Sequence, residues 1–585
     1  MSLLAGVVLR RPGAIVPSGL RRNLEQVISR RAEDKPSVVE SPSAHLVKLD
    51  IGAYGVPAHH VDEQGRCTIA TGDPAVWAGS DWYAADRQSD LAWLHGEIAL
   101  GKDTEALRAA MGTFSLVFAD PSQHRFVVAT DKLGMRALYF WVGDEMVIFA
   151  SALRVLEEIR AVKKEMDTRA VAEKAGIGYF MADRTPYQDI FCLLPSEALI
   201  IDGQEVRREL YWKWEDVPQQ DRLPAEQGAI CYDRLSAAVR RRRGSDTAVL
   251  AFLSAGMDTR TVTSELVHQG AKLCTLNGAA RGVLDFELAR DWAGAVDADH
   301  LALPNAITDP HYPHDLATAW FEKKPRAKWQ VTRPNLVWAG VGGSVGAGHP
   351  FLTRGLSADR ELVKSLRAGP LEKALDNFCR QEGMILPPRL FQPHFRSFAA
   401  ETVVRAFVEE LARYPFKDPA RAFYMVIVLN ETRRSFHKNL QHIDLHRLDS
   451  VVPFNDARLI ESYVEAPVDH CLGHRLYSEM IRPLASIFER APWQTYRGHV
   501  PCLLPYPDGV LHQHDEQQLR QRDNEQRRSV IAEGFGALWR GPLPAFISRA
   551  GLAAALFAYT LGIRNTGYYA QIAGVFRAAL KGRWP

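Results

Sequence analysis

The chain has 585 residues, 46% of them hydrophobic, with 71 Lys and Arg against 69 Asp and Glu. That length exceeds a single core and predicts two or three domains, while a net charge of +2 makes no global electrostatic case for a nucleic-acid partner. The seven cysteines are scattered, with no CxxC pair, which suggests neither a zinc site nor a disulfide framework and fits a reduced, cytoplasmic compartment.

The N-terminal "MSLLAGVVLRRPGAIV" places its short apolar run before its arginines, the wrong order for a secretory signal. Short β-type runs follow: "FSLVFAD", "HRFVVATD", "ALYFWVG" and "MVIFAS", separated by turn residues. A helix is expected from Thr168 to Ala175, then strands at "EALIIDG" and "RRELYWKW". The polar, proline-bearing "WEDVPQQDRLPAEQG" reads as a linker. From about residue 226 the pattern changes to strand, turn and helix in alternation: "AICYDRLSAAVRRRR", then "VLAFLSAGMDTRT", "CTLNGA", "DFELARDWAGAVDADH" and "HLALP". Such alternation predicts a parallel sheet with flanking helices. The C-terminal stretch carries a charged helix, "HDEQQLRQRDNEQRR", and the apolar segment Ala550 to Ile563, about fourteen residues where roughly twenty are needed to span a bilayer. It reads as a buried or surface-lying helix, with no transmembrane segment. The expected domains are 1–215, 226–505 and a helical extension at 506–585.

The turn "LSAGMDT" deserves a physical reading. A strand that ends in small residues and opens a helix presents backbone N–H groups at the positive end of the helix dipole, where phosphate binds. Ala255 and Gly256 leave room, Ser254 can donate a hydrogen bond, and Asp258 would repel phosphate unless Mg²⁺ lay between them. Arg260 is expected either to neutralise a leaving pyrophosphate or to lie on the solvent face of its helix. On this motif alone, a ligand-free strand-to-helix turn stays equally open.

The stretch resembles the pyrophosphate loop "SGGxDS" of the asparagine synthetase family. "LCTLNGA" (Leu273 to Ala279), Asp285 with Glu287, "WAGVGGSVGAGH" (Trp338 to His349) and "LDSVVPFNDARLIES" (Leu448 to Ser462) resemble later elements of that family, in the same order. In the N-terminal half, "MGTFSLVFAD", "TDKLGMRALYFW" and "FASALRVL" resemble its glutaminase domain, so the likeness covers roughly residues 1 to 505. The resemblance implies an N-terminal Ntn-type αββα sandwich followed by an α/β parallel-sheet PP-loop domain. It also implies ATP and Mg²⁺, a small-molecule or peptide carboxylate and an amine as substrates, with a homodimer left open. Leu253, Ser254, Ala255, Gly256, Met257, Asp258 and Thr259 would cradle pyrophosphate together with Gly342 and Gly343. Leu273 and Leu276 would border adenine. Asp258 would hold the metal, Arg260 and Arg475 would balance charge, and His474 or His499 would accept a proton.

The departures are equally specific. Ser2 stands where the family's glutaminase has its nucleophilic cysteine, and "ATGDPAVWAG" (Ala70 to Gly79) lacks the asparagine and glutamate of "NGE". Asp90 is the remnant of that pocket. In the second half, Ser344 and Val345 replace the acidic pair of "GGDE", which should weaken a metal site, and Val341 stands where β-lactam synthetases have a tyrosine. His499 and Cys502, in "PWQTYRGHVPC", lack partners at metal spacing; that stretch could line an acceptor pocket or pack as a loop. Three readings follow: an AMP-forming amide ligase without glutamine hydrolysis, analogous to β-lactam synthetases and lasso-peptide cyclases; a glutamine-hydrolysing asparagine synthetase; and a catalytically degenerate homologue that binds nucleotide or a partner. Against the last, "SAGMD" keeps its Ser, Gly and Asp and "GVGGS" its glycines, a backbone permissiveness that a dead site does not physically need, though structural inertia could retain it.

Overall fold

The computed structural model describes residues 2–11, 13–84, 86–305, 312–347, 356–495, 501–510, 516–539, 543–564 and 566–580. His499 lies outside them. The chain divides into two compact units: one of residues 1–162, 193–359 and 427–512, the other of residues 163–192, 360–426 and 513–585.

The first unit begins with two antiparallel sheets. In one, Ser2–Leu9 lies between Met146–Ala150 and Ala44–Asp50, with Tyr139–Val142 and Ser37–Glu40 outside them. In the other the order is Glu205–Leu210, Glu197–Asp202, Arg125–Thr130, Thr113–Asp120, Cys67–Asp73 and His59–Val61. Alternation along Thr113–Asp120 places Phe114, Leu116 and Phe118 against Leu91, Leu94 and Ile98 of the helix Arg87–Ala99 and Leu107 of Asp103–Ala109, as a period of two requires. Helices Ser18–Val27 and Leu153–Glu157 pack against the first sheet. The layers are therefore helix, sheet, sheet, helix.

A five-stranded sheet follows, in the order Asp299–Ala302, Lys272–Asn277, Ala248–Phe252, Leu336–Trp338 and Asp449–Val451, every pair parallel. The chain enters at the middle strand, steps outward twice, then returns to the other side. That reversal creates a switch point beside the middle strand, where open α/β sheets leave a crevice at the carboxyl ends of their strands. The expected linker is shorter than its composition suggests: Pro224 opens the helix Pro224–Arg243, since proline lacks only an N–H that the first helical turn leaves unpaired anyway.

Ion pairs join the antiparallel layers to the parallel sheet and to the short helix Ile443–His446 before its last strand. Arg136 donates to Asp449 at 2.9 Å and to the Tyr54 hydroxyl at 3.2 Å, with Arg136 and Asp449 both buried. Arg30 holds Asp444 at 2.6 Å.

The second unit is helical. Thr168–Ile177, Leu371–Gln381, Arg396–Arg413, Glu516–Trp539, Arg549–Thr560 and Tyr568–Leu580 share a core that includes Val171, Leu390, Phe391, Val530, Leu552, Leu556 and Phe576. No helix among the described residues is long and apolar enough to cross a membrane.

Candidate functional site

At the switch point a cavity of about 450 Å³ opens between the turn after Ala248–Phe252 and the loop after Leu336–Trp338. Leu253, Ser254, Gly256, Met257, Asp258, Thr259, Leu276, Gly342 and His474 line it; so do Asn277, Asp285, Ser344, Asn439, His446 and Gln494. Ala255 is buried beneath, packed on Leu284 and Leu288. Leu273 is buried in its strand and Gly343 lies behind the loop; neither is among the lining residues.

The turn is internally bonded. Ser254 N donates to Thr259 Oγ1 at 3.0 Å, Gly256 N to Ser254 Oγ at 3.2 Å, and Ala255 N to Asp285 Oδ1 at 2.9 Å. The loop is thus rigid before any ligand arrives, but three of its amides already have partners. Gln494 N also donates to Ala255 O at 2.9 Å, tying the start of "WQTYRGH" to the turn; Tyr496 to Val500 lie outside the described residues.

Asp258 is half-buried at the start of the helix Met257–His268. Ser344 meets it twice: its backbone N donates to Oδ2 at 3.1 Å and its hydroxyl to Oδ1 at 2.8 Å. Burial raises the Asp258 carboxyl above its ordinary value, opposed by the hydrogen bonds from Ser344 and Tyr477. Tyr477 in turn lies 3.1 Å from the Thr261 hydroxyl. A residue standing where a second carboxylate was expected has become a hydrogen-bond donor to the first.

Magnesium prefers an octahedron of oxygens. Here one carboxylate has both oxygens accepting from Ser344, and the other that lines the cavity, Asp285, accepts from the turn. No three His, Cys, Asp or Glu side chains gather as a metal set among the described residues. This donor set does not fit a magnesium ion held by the protein's own carboxylates.

The expected cations are placed elsewhere. Arg260 points neither to the cavity nor to solvent: it is fully buried, donates to Ala491 O at 2.6 Å and lies over the Trp292 and Phe488 rings at 5.7 and 5.6 Å. Burial pushes its guanidinium down to about 9. It pins residues 488–491 to the loop's helix. Arg475 is exposed and is not among the lining residues. No Lys or Arg is among the described residues that line the cavity.

The glycines have a structural cause. A Cβ on Gly340 would lie 2.5 Å from Thr259 N, and one on Gly343 would lie 2.7 Å from Asp258 Cγ. Gly342 has a φ of 96°, with Asn455 Oδ1 2.8 Å from its would-be Cβ. Two loops touch backbone to backbone here, so the expectation that these glycines need a functional cause is corrected: the contact itself demands them. Sequence reading missed Asn439 and His446. Phe436, Asn439 and Leu440 present one helical face to the cavity, a spacing legible in "RRSFHKNL" though attached to no motif. Burial, with His442 and His314 adding like charge, holds His446 down at about 4.

The surroundings of Ser2 and Asp90, expected to be a degenerate glutaminase pocket, look different. Ser2 begins the first strand, opposite Asp50 in register. Asp90 is wholly buried and receives the guanidinium of Arg241 from the helix Pro224–Arg243, which also lies 3.8 Å from Asp73. Burial, with Asp73 adding, pushes Asp90 up to about 7 against the pull of Arg241.

Comparison with known proteins agrees with this anatomy. The family described as "Glutamine amidotransferase domain" matches residues 93–212. The chain is 29% identical over 159 residues to "Putative asparagine synthetase (glutamine-hydrolyzing) 2" of Methanocaldococcus jannaschii, covering 26% of this chain and 30% of that one. It is 22% identical over 237 residues to "Asparagine synthetase (glutamine-hydrolyzing) 1" of Bacillus subtilis, covering 39% and 35%. It is 25% identical over 173 residues to "Amidase chry2" of Gibberella zeae, covering 28% and 25%. The matches thus span about a quarter to a third of those relatives' lengths. The fold and the matched segment define a chain of the class that joins a glutamine amidotransferase-type module to a parallel-sheet α/β module. Within that class, its partial matches include asparagine synthetases, to which it is similar over about a quarter to two fifths of its own length.

Proposed function

We propose that this protein is an AMP-forming amide ligase that takes its amine directly, without hydrolysing glutamine. The observation that carries the proposal is the cavity at the switch point, floored by a preorganised small-residue turn with Asp258 facing it. In this reading ATP enters along the strand ends with Leu276 beside its base. The substrate carboxylate attacks the α-phosphate, forming a mixed anhydride and releasing pyrophosphate. The amine nitrogen then attacks the activated carbonyl, the C–N bond forms, the C–O bond to AMP breaks, and His474 is the proposed acceptor of the amine's proton. Positioning and fixed dipoles supply most of the rate in such a site. Divalent charge would arrive with the nucleotide, because the protein's own carboxylates do not make a metal site.

Glutamine hydrolysis is absent from this proposal because Ser2 replaces the thiol and Arg241 fills the place beside Asp90. A second reading, nucleotide binding without catalysis, is favoured by the satisfied Asp258–Ser344 pair and the cavity's lack of a lining cation. Calorimetric titration with ATP, followed by AMP assays with ammonia or glutamine as nitrogen source, separates the readings. The ligase reading predicts binding and AMP formation supported by ammonia and not by glutamine. Binding without AMP across a broad carboxylate panel supports the second reading, and glutamine-supported turnover refutes the first.

A further inference from the structure

The last three helices carry a feature that the ligase chemistry does not use. From Gly534 to the final residue the sequence holds six of the chain's Lys and Arg and none of its 69 Asp and Glu. The same stretch exposes large apolar side chains. Trp539 is 74% exposed, Phe557 65%, Leu561 57% and Ile563 65%. These are not scattered singly, as ordinary surface apolar residues are.

Their arrangement follows from how the helices pack. Glu516–Trp539 turns Val530 and Ala537 into the core of the second unit, and Arg549–Thr560 turns in Leu552, Ala555 and Leu556. Gly534 lets the two helices approach closely, since a Cβ there would strike Leu556. The opposite faces then present a shared groove of about 510 Å³, lined by Phe535, Trp539, Arg549, Ala553 and Phe557 among others. Phe535 and Trp539 stack with centroids 5.2 Å apart and planes 6° apart. Arg527 donates to the Tyr559 and Thr560 carbonyls at 2.9 and 3.1 Å, fixing the end of the second helix where Leu561 and Ile563 project.

We infer that this face docks onto an anionic lipid bilayer, with Trp539, Phe557, Leu561 and Ile563 entering the interface and the exposed Arg549 and Arg564 meeting lipid phosphate. Exposed aromatic and aliphatic side chains beside arginines form the composition of an interfacial contact, and each basic residue near an anionic surface adds attraction. A second copy of the chain fits worse: a two-fold contact would bring two stretches without a single acidic residue together. A nucleic acid would match the charge but leaves the aliphatic tips without a partner. No helix among the described residues is both long and apolar enough to cross a bilayer, so this is docking on a surface rather than insertion through it.

The test uses the full chain in co-sedimentation with vesicles of phosphatidylcholine mixed with phosphatidylglycerol, against phosphatidylcholine alone, at low and high salt. Binding to the mixed vesicles that falls with salt is expected. The double substitution Trp539→Ser and Phe557→Ser should cut the bound fraction about tenfold, and Arg549→Glu with Arg564→Glu should abolish the preference for the anionic lipid. All four side chains are exposed, and unchanged circular dichroism with an unchanged melting curve checks the fold. Wild-type protein that stays in solution with both vesicles overturns the proposal. So does a dimer in light scattering that the Trp539 and Phe557 substitutions dissolve while vesicle binding is unaffected, or retention by RNA that outcompetes the vesicles.

Discussion

Asp90 and Asp258 are two carboxylates within one compact unit, each at a site where the resemblance to asparagine synthetases implies chemistry, and the protein quiets them by opposite means. Asp90 is wholly buried and faces the guanidinium of Arg241, a charge from a helix of the neighbouring module. Asp258 is met by the hydroxyl and amide of Ser344 and borders an open cavity. A buried ion pair is costly to open, because either partner left alone is an uncompensated charge. Hydrogen bonds from neutral donors on an open cavity wall can be exchanged for bonds to water or a ligand at less cost, because no buried counter-charge is stranded. The first arrangement closes a pocket; the second keeps one available.

The largest expected effect breaks the closed site. Arg241→Met leaves Asp90 and Asp73 buried without their cation and should lower stability by about 3–5 kcal/mol in urea titration. Arg241→Met with Asp90→Leu should recover most of that loss, because an apolar pair of similar volume replaces an ionic one. Failure of the double variant to recover would show that Arg241 matters through contacts other than Asp90. A smaller effect is expected at the open site. Gly340→Ala forces its Cβ against Thr259 N and should cost about 1–3 kcal/mol, together with measurably weaker ATP binding. Unchanged binding there would separate the loop contact from the ligand site.

His446 supplies a pH signature on the same cavity wall. Its folded value is held down at about 4 by burial, whereas an unfolded histidine titrates near 6.5. Between those values the unfolded chain binds more protons, so stability rises with pH in that window. The contribution is fully present above about pH 6.5 and is lost as pH falls towards 4. It should amount to about 1–2 kcal/mol once partial exposure is allowed for. His446→Asn should flatten melting temperature against pH in that range, and an unaltered profile would assign the slope to another group. The smallest effect is expected at Ser2: Ser2→Ala should leave ammonia-supported turnover unchanged, and a loss would reopen the N-terminal module to catalysis.

Much of this was legible before the fold. Period-two runs such as "FSLVFAD" and the strand–turn–helix at "VLAFLSAGMD" locate their elements because local pattern and burial agree. Ser344 was visible as a substitution, but its bonds to Asp258 join residues 86 positions apart and depend on how two loops meet. Arg260 misled for a related reason. Its helical position allowed either a solvent face or a phosphate, and only the packing of residues 488–491 against that helix shows the carbonyls it serves. The second unit was hidden more completely, since its core is drawn from three separated segments whose periodicity shows apolar faces and not their partners.

The central claim is that the Asp258 cavity activates a carboxylate as an adenylate. Exchange of labelled pyrophosphate into ATP, run with a panel of carboxylates on the wild-type chain and on Asp258→Ala, tests it most directly. Carboxylate-dependent exchange that falls by about a hundredfold in the variant is the predicted result, because Asp258 holds the Ser344 loop against the turn and a small misplacement at a reacting site costs about that much. Exchange that persists undiminished in Asp258→Ala, or a wild-type protein that does not bind ATP, would contradict it.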